Sequence, residues 1–483
     1  MLDLRPVGYI IGLMIAVLGG AMMIAVLADL SAGNPNWQPM LKAAVLTAMT
    51  GGLVALACAN SVGRSLDIRQ SFVLTTFVWI VLPLFGALPF MMGAPGVRFT
   101  DAYFEAMSGM TTTGTTVFVG LDDMPPGVLL WRSMLQWLGG LGIVIVALIF
   151  LPVMKVGGMQ YFRSEAFDTL GKVLPRALDI SRALLEVYFA LTALCAITYF
   201  ALGMPAFDAI NHAMTTIATG GYSTYDASFA VFSGPLEYAG AAFMVAAGLP
   251  FVRYVQLVSG SAMPMMRDVQ VRAYLRWTAY AIGAIVAWRM LNEDVALTVA
   301  LREVTFNVIS LFSGTGFGSA SVESWGTFPL VVVLVVGLIG ACTASTGCSL
   351  KVFRYLVLIE AIKAQIARIH SPARVVQVRL DGRPLDDEVI NSVIALFTLF
   401  LLTFGLTAVT LSLTGLGSRA ALTAAWTSVA NVGPVFGPEV GPTGAVNGFS
   451  DASKWVMIVA MLLGRLELLS VLVLLLPRFW RMA

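Results

Sequence analysis

The chain has 483 residues, of which 58% are hydrophobic and only 12% charged, and its mean hydropathy is +0.86. A soluble domain carries about 25% charged residues, so most of this surface meets lipid or other apolar helices. A net charge of +2 without a basic tract gives no sign of nucleic-acid binding, two histidines exclude a histidine-rich metal site, and Cys58, Cys195, Cys342 and Cys348 lack metal-type spacing and read as small thiols rather than a disulfide framework.

In chain order, the apolar runs predict ten membrane-crossing segments. The first, about 6–30, follows Met1-Leu2-Asp3-Leu4-Arg5 without a small-residue cleavage site and is read as a retained helix. The second covers about 41–60. Thereafter one design recurs four times: an outer span, a short amphipathic helix, a small-residue loop and a returning span. The outer spans begin near Phe72, Ala183, Tyr274 and Val393. The short helices cover residues 99–110, 206–217, 297–311 and 418–428, each too short and polar to cross a bilayer. The returning spans begin near Gly127, Leu236, Phe328 and Lys454. The expected fold is an all-α polytopic membrane protein, with four pseudo-symmetric helix–pore loop–helix repeats around one central pore and two extra N-terminal helices. Its units are residues 1–65, 66–165, 166–265, 266–372 and 373–483.

The loops carry the functional signal. They read Thr111-Thr112-Thr113-Gly114-Thr115, Ala218-Thr219-Gly220-Gly221-Tyr222, Ser313-Gly314-Thr315-Gly316-Phe317 and Ala430-Asn431-Val432-Gly433-Pro434. With Gly114, Gly221, Gly316 and Gly433 equivalent, the intervals are 107, 95 and 117 residues. Gly220 is the alternative in the second loop. Irregular backbone at membrane depth is tolerated only where protein buries it or water lines it. Four such loops can replace the hydration shell of a monovalent cation with neutral oxygens, and the helix ends feeding them favour positive charge. The cation-coordinating positions expected are Thr112, Thr113, Thr219, Gly220, Gly314, Thr315, Asn431 and Val432. Each glycine alone reads more readily as a helix-packing residue; the fourfold recurrence reverses that weighting.

Charge orients the chain. Of 29 basic residues, 21 fall in alternate connections: Arg5; Arg64 and Arg69; Lys155, Arg163, Lys172, Arg176 and Arg182; Arg253, Arg267, Arg272 and Arg276; Lys351, Arg354, Lys363, Arg368, Arg374, Arg379 and Arg383; Arg478 and Arg481. The positive-inside rule makes that side cytoplasmic, so both termini lie inside and the Gly-bearing loops open outward. Residues 351–369 read as a helix, and 375–385, with Asp381-Gly382, as a hairpin. No soluble domain is long enough to bind a nucleotide.

Two further features concern gating. Residues 340–349, Gly-Ala-Cys-Thr-Ala-Ser-Thr-Gly-Cys-Ser, interrupt an apolar run and read as a gate formed by Gly340, Thr343, Ala344, Ser345, Thr346 and Gly347, against the alternative of a helix cap. Arg465 sits inside the last apolar run; it either faces the cation pathway and limits leak, or pairs locally with Glu467 or a backbone carbonyl. Trp131-Arg132 and Gln136-Trp137-Leu138-Gly139-Gly140 read by default as aromatic anchoring at the outer interface, with buttressing of the pore loop by Arg132 as the alternative and no ion contact assigned to it. Glu105, Asp101 and Asp208 on the short helices either draw cations to the mouth or act as solvated or capping carboxylates.

The motifs TTTGTT, WRSMLQWLGGLGI, VGGMQYFRSEA, NHAMTTIATGGYST, STGCSLKVFR and GRLELLSVLVL resemble the Trk/Ktr/HKT superfamily of potassium transporters, most closely the bacterial Trk-type membrane subunit, over nearly the whole chain. The resemblance implies a bacterial inner-membrane protein that is not an enzyme, with potassium as the transported ion and no organic cofactor. It implies a homodimer in the lipid bilayer and a cytoplasmic NAD- or ATP-binding regulatory subunit. It also matches residues 340–349 to the family's intramembrane gate and Arg465 to its pore-facing basic residue, and Gly114 to the position where glycine accompanies potassium preference. Cys342 and Cys348 depart from a gate that is often richer in glycine. Two other readings stay open: a sodium-permeable or sodium-coupled transporter on the same fold, and a membrane enzyme acting on lipid. The acid clusters Asp122-Asp123 and Asp386-Asp387-Glu388 give the last little support.

Overall fold

The computed structural model describes residues 2–61, 66–146, 177–371 and 376–480. The motif VGGMQYFRSEA and the basic residues Arg64, Lys155, Arg163, Lys172, Arg176, Arg374 and Arg481 lie outside the described residues.

Helix α1 (Arg5–Ser31) and α2 (Trp37–Ala57) form an antiparallel hairpin closed by small residues. A methyl added at Gly12 would lie 2.6 Å from the Ala55 nitrogen, and one at Gly19 would lie 2.8 Å from the Ala44 carbonyl oxygen. Without side chains between them the two backbones pack directly, the arrangement that drives helix association in lipid. Buried Asp29 fastens this hairpin to the rest: it accepts from Asn36 Nδ2 (2.9 Å) and from the Gly127 backbone N–H (2.6 Å) at the start of a later helix. A carboxylate there meets the positive end of the helix dipole.

Four units follow. The first has α3 (Ile68–Gly86), short α4 (Phe99–Met110) and α5 (Pro126–Ile145); the second has α6 (Ala177–Ala201), short α7 (Ala206–Ile217), and α8 (Pro235–Ala247) with α9 (Phe251–Val258). The third has α10 (Val269–Asn292), short α11 (Leu297–Ser313) and α12 (Thr327–Ile339), then α13 (Val352–His370). The fourth has α14 (Asp387–Leu413), short α15 (Ser418–Ala430), and α16 (Asp451–Arg465) with α17 (Leu469–Leu472). The first two short helices have the bounds expected from sequence; the third and fourth each run two residues further, into their loops.

Six described helices are long and apolar enough to cross a membrane, or eight if two bent pairs each count as one span. The chain is a multi-pass, nearly all-helical membrane protein. The expected ten include two segments that differ in kind. Helix α10 has the length, at 24 residues, but carries Arg272, Arg276 and Arg289. Helix α12 has only 13 residues because the loop after it enters the protein interior. The bends were not foreseen. Helices α8 and α9 meet at 93° across Gly248-Leu249-Pro250, where proline cannot continue the preceding helix. The last apolar run, expected to be continuous, turns by 104° just after Arg465, with Glu467 and Leu468 at φ 57° and 49°.

The units contact one another in sequence and the fourth closes on the first. Arg302 pairs with Glu237 between units three and two (3.2 Å), and Arg419 with Glu323 between four and three (3.0 Å). Buried Lys454 of α16 donates to Asp101 of α4 (2.6 Å), and Arg98 forks onto Asp451 (2.8 and 3.1 Å). The expected hairpin is present as a two-residue ladder, Arg379 opposite Pro384 and Leu380 opposite Arg383. Its turn residues Asp381 and Gly382 have φ 51° and 78°, the pair of positive values a type I′ turn requires.

Candidate functional site

Each short helix ends at a loop built to one backbone pattern. The residue two before the reference glycine and the glycine itself both have positive φ: Thr112 52° and Gly114 87°; Thr219 51° and Gly221 75°; Gly314 81° and Gly316 83°; Asn431 52° and Gly433 116°. Left-handed backbone is easy for glycine but strained for a β-branched residue, so the two threonines are held by their surroundings. The pattern fixes the second loop's register: Gly221, not Gly220, matches Gly114. The hydrogen bonds repeat as well. The intervening backbone N–H of Thr113, Gly220, Thr315 and Val432 donates to the carbonyl five residues earlier, at Ser108, Thr215, Ser310 and Thr427 (2.9, 2.9, 2.8 and 3.2 Å).

The four loops form a closed ring. A methyl added to Gly114 would overlap the carbonyl oxygen of Gly220; added to Gly221, that of Thr315; added to Gly316, that of Val432. On Gly433 it would lie 3.1 Å from the carbonyl oxygen of Thr113. Glycine is therefore required twice over at the first three positions, by φ and by the next loop's carbonyl. Thr112, Thr113, Thr219, Thr315, Asn431 and Val432 are all fully buried. The ring presents neutral oxygens and no carboxylate, the donor set for a monovalent cation that must also leave.

Side chains tie the ring together. Thr115 Oγ1 donates to the Gly433 carbonyl (2.6 Å), and Asn431 Nδ2 to Thr113 Oγ1 (2.8 Å) and the Met461 carbonyl (3.1 Å). The fourth loop, with Asn431 where loops one and two have threonine, is thus tied into the ring through that side chain. Gln136 of α5 braces the second loop, donating to the Gly220 carbonyl (2.6 Å) and accepting from the Tyr222 N–H (3.0 Å).

Behind loops one and two lies a buried ion pair. Arg132 Nε donates to Glu105 Oε1 (2.8 Å), Nη1 to the Ser223 carbonyl (2.9 Å) and Nη2 to Thr116 Oγ1 (3.2 Å), with its guanidinium 4.2 Å from the centre of the Tyr222 ring. Glu105 also accepts from Thr116 Oγ1 and the Val117 N–H. Arg132 buttresses both loops, as its position suggested, but Glu105 is neither solvated nor a mouth charge: it is fully buried and neutralised. Asp208 is likewise occupied, accepting from Thr224 Oγ1 (2.7 Å) and Tyr225 Oη (3.0 Å), and Asp101 holds Lys454. Burial, then the hydrogen bond to Asp208, raises the Tyr225 phenol above its ordinary range.

Residues 340–349 lie against the ring. Buried from Ala341 to Cys348, the segment is suspended from neighbouring elements: Cys342 N–H donates to the Gly248 carbonyl (3.0 Å), Thr343 N–H to Gln270 Oε1 (3.0 Å), Thr346 Oγ1 to the Ala247 carbonyl (3.1 Å) and Phe251 N–H to the Ala344 carbonyl (2.8 Å). Gly340, at the C-terminal cap of α12, Ala344 and Ser349 have positive φ, so the segment leaves the helix at Gly340 and continues as an irregular loop. Ser345 Oγ bonds within the loop to the Cys342 carbonyl (2.7 Å) and accepts from the Gly347 N–H (3.2 Å). A methyl on Gly347 would lie 2.8 Å from the Ser313 carbonyl oxygen, and Cys348 Sγ is 3.6 Å from Thr112 Oγ1.

Arg465, 4% exposed, donates through Nη1 to Cys348 Sγ and stacks over Trp79 at 5.6 Å. Local pairing with Glu467 does not occur; that carboxylate meets Arg354 (2.6 Å). Among the described residues Arg465 Nε and Nη2 have no hydrogen-bond partner, and a cavity of about 20 Å³ touches Arg465, Cys348, Lys351 and Gly464.

On the other side of the ring, Gly114, Gly221, Gly316 and Gly433 all line one cavity of about 190 Å³. A neighbouring cavity of about 550 Å³ shares Asp226, Ser228, Gly318, Pro434, Thr443 and Gly444 with it. No local sequence pattern marks this vestibule, which depends on loops brought together from four units.

The family described as TrkH, cation transport protein, matches residues 37–277 and 286–481. The Trk system potassium uptake protein TrkI of Halomonas elongata is 41% identical over 419 residues, covering 86% of this chain and 85% of that protein. The Trk system potassium uptake protein TrkH of Salmonella typhimurium is 34% identical over 484 residues, covering 99% of both. The crystal structure of the potassium transporter TrkH from Vibrio parahaemolyticus superposes with a TM-score of 0.91 at 30% identity, over 99% of this chain and 100% of that one.

Proposed function

The chain belongs to the TrkH family of cation transport proteins, and from that premise we propose that it takes up potassium through the ring of four loops. The observation that carries the reading is the ring itself: three of the four glycines abut the carbonyl oxygen of the next loop and the fourth lies close to its own, with a repeated backbone pattern and no charged side chain. Thr112, Thr113, Gly114, Thr219, Gly220, Gly221, Gly314, Thr315, Gly316, Asn431, Val432 and Gly433 form the selectivity filter. The four repeats are the units 66–165, 166–265, 266–372 and 373–483, preceded by the hairpin 1–65.

Gly340, Thr343, Ala344, Ser345, Thr346 and Gly347 form a gate on the side of the filter opposite the vestibule, and Arg465 holds it through Cys348. An unmoved gate places a buried cation beside the pathway, which raises the barrier to a permeating ion. The protein works as a homodimer in the bacterial inner membrane, with both termini inside and a nucleotide-binding regulatory subunit on the cytoplasmic face; the positive-inside distribution supports that orientation.

The test is rubidium uptake in a bacterium lacking its own potassium uptake systems, with potassium or sodium as competitor. Uptake suppressed by potassium and little affected by sodium is expected. Equal suppression by sodium would overturn the potassium filter. Absence of uptake from membranes that contain both this chain and a cytoplasmic Trk subunit would overturn the transport reading.

A further inference from the structure

The vestibule is asymmetric. In the fourth unit, the chain between the filter loop and α16 turns back on itself. Gly441 N–H donates to the Ala445 carbonyl (2.9 Å), Gly444 N–H to the Gly441 carbonyl (2.8 Å), and Val446 N–H to the Thr116 carbonyl of the first unit (2.9 Å). Ala445 and Val446 are fully buried, whereas Pro442, Thr443 and Gly444 are exposed. The turn is therefore anchored at its base, and its tip borders the compartment that the four filter glycines line.

Asp226 lines the same two compartments as the tip. Among the described residues its carboxylate accepts only from backbone N–H groups, of Gly120 (2.8 Å) and Leu121 (3.1 Å), and no lysine or arginine pairs with it. Arg132, the cation that borders the small compartment, is neutralised by Glu105. Asp226 and the Thr443–Gly444 tip are both in the set of residues shared by the two compartments, so they frame the passage between them. A fixed negative charge in a low-dielectric cleft concentrates cations locally.

We infer that cations reach the filter through this neck, with Asp226 concentrating them there and the tip at Thr443 bordering their route. The inference rests on the ring being a cation pathway.

The experiment uses the full chain in cells, reading rubidium uptake before and after treatment with a membrane-impermeant quaternary-ammonium methanethiosulfonate. In Thr443→Cys the thiolate attacks the reagent's sulfenyl sulfur, forming a disulfide and expelling methanesulfinate, which leaves a fixed positive charge at the tip. Uptake is expected to fall by about tenfold or more, the scale of repulsion from a charge so near the route. The treated variant is read against the same variant untreated, and treated wild type should keep its uptake, since Cys195, Cys342 and Cys348 are buried and half-buried Cys58 follows α2 at the end that the basic residues place inside, away from the impermeant reagent. Full modification, verified by mass spectrometry, with unchanged uptake would overturn the neck. No uptake in the untreated wild type would instead count against the transport reading. As a second measurement, Asp226→Asn should raise the KM for rubidium several-fold at low ionic strength, with the difference shrinking in added salt. A maximal rate that falls while KM and its salt dependence stay fixed would show a merely structural role.

Discussion

At the scale of single residues, the glycines and the ion pair behind them differ in what they risk. Gly316→Ala would place a methyl against the Val432 carbonyl and force positive φ on alanine. Selective rubidium uptake is expected to be lost while the protein still reaches the membrane; preserved uptake with unchanged potassium preference would contradict the filter. Glu105→Gln acts differently. It leaves Arg132, 1% exposed, without its carboxylate, and an unpaired buried charge costs about 3–5 kcal/mol. We expect a lower midpoint of thermal unfolding in detergent, partly restored by the double change Glu105→Gln with Arg132→Met. The glycines were legible because small residues recurred at one place in each repeat. The Arg132–Glu105 pair was only half legible: the arginine's position suggested a buttress, but nothing in the sequence places residues 27 apart on facing helices.

At the scale of elements, the loop proposed as the gate hangs from its neighbours by single hydrogen bonds, and on that proposal these set how readily it moves. Gln270 is the acceptor for Thr343 N–H and is positioned by Asp268, whose side chain caps α10. Gln270→Ala removes one bond worth about 1 kcal/mol, so rubidium uptake is expected to rise about fivefold if opening is limiting. Arg465→Ala should raise uptake further, because it removes both the tether at Cys348 and the buried charge. Unchanged uptake in both variants would sink the gating assignment. The loop itself could be read from its small polar residues within an apolar run. The 104° turn after Arg465 could not, since residues 466–468 contain neither glycine nor proline and tertiary packing imposes their backbone.

At the scale of the molecule, ring closure depends on contacts between the first and last units. Lys454, 2% exposed at its side chain, relies on Asp101, which stands 353 residues away. Asp101→Asn should lower thermal stability and weaken closure, seen as faster proteolysis of the segment 434–450; an unaltered cleavage pattern would show that the apolar contacts between α4 and α16 suffice. The repeat order and the two leading helices were readable because apolar runs and charge alternate along the chain. The vestibule and the closing contacts were not, since they join residues whose separation exceeds any local pattern.

The four loops are also unequal in a way that a ring of identical subunits forbids. In a homotetramer every substitution is made four times and symmetry is kept. Here a change at Thr112 leaves Thr219, Gly314 and Asn431 as they were. Selection can therefore adjust one quadrant in steps of a quarter, so that a binding strength intermediate between two filter chemistries is within reach of a single codon.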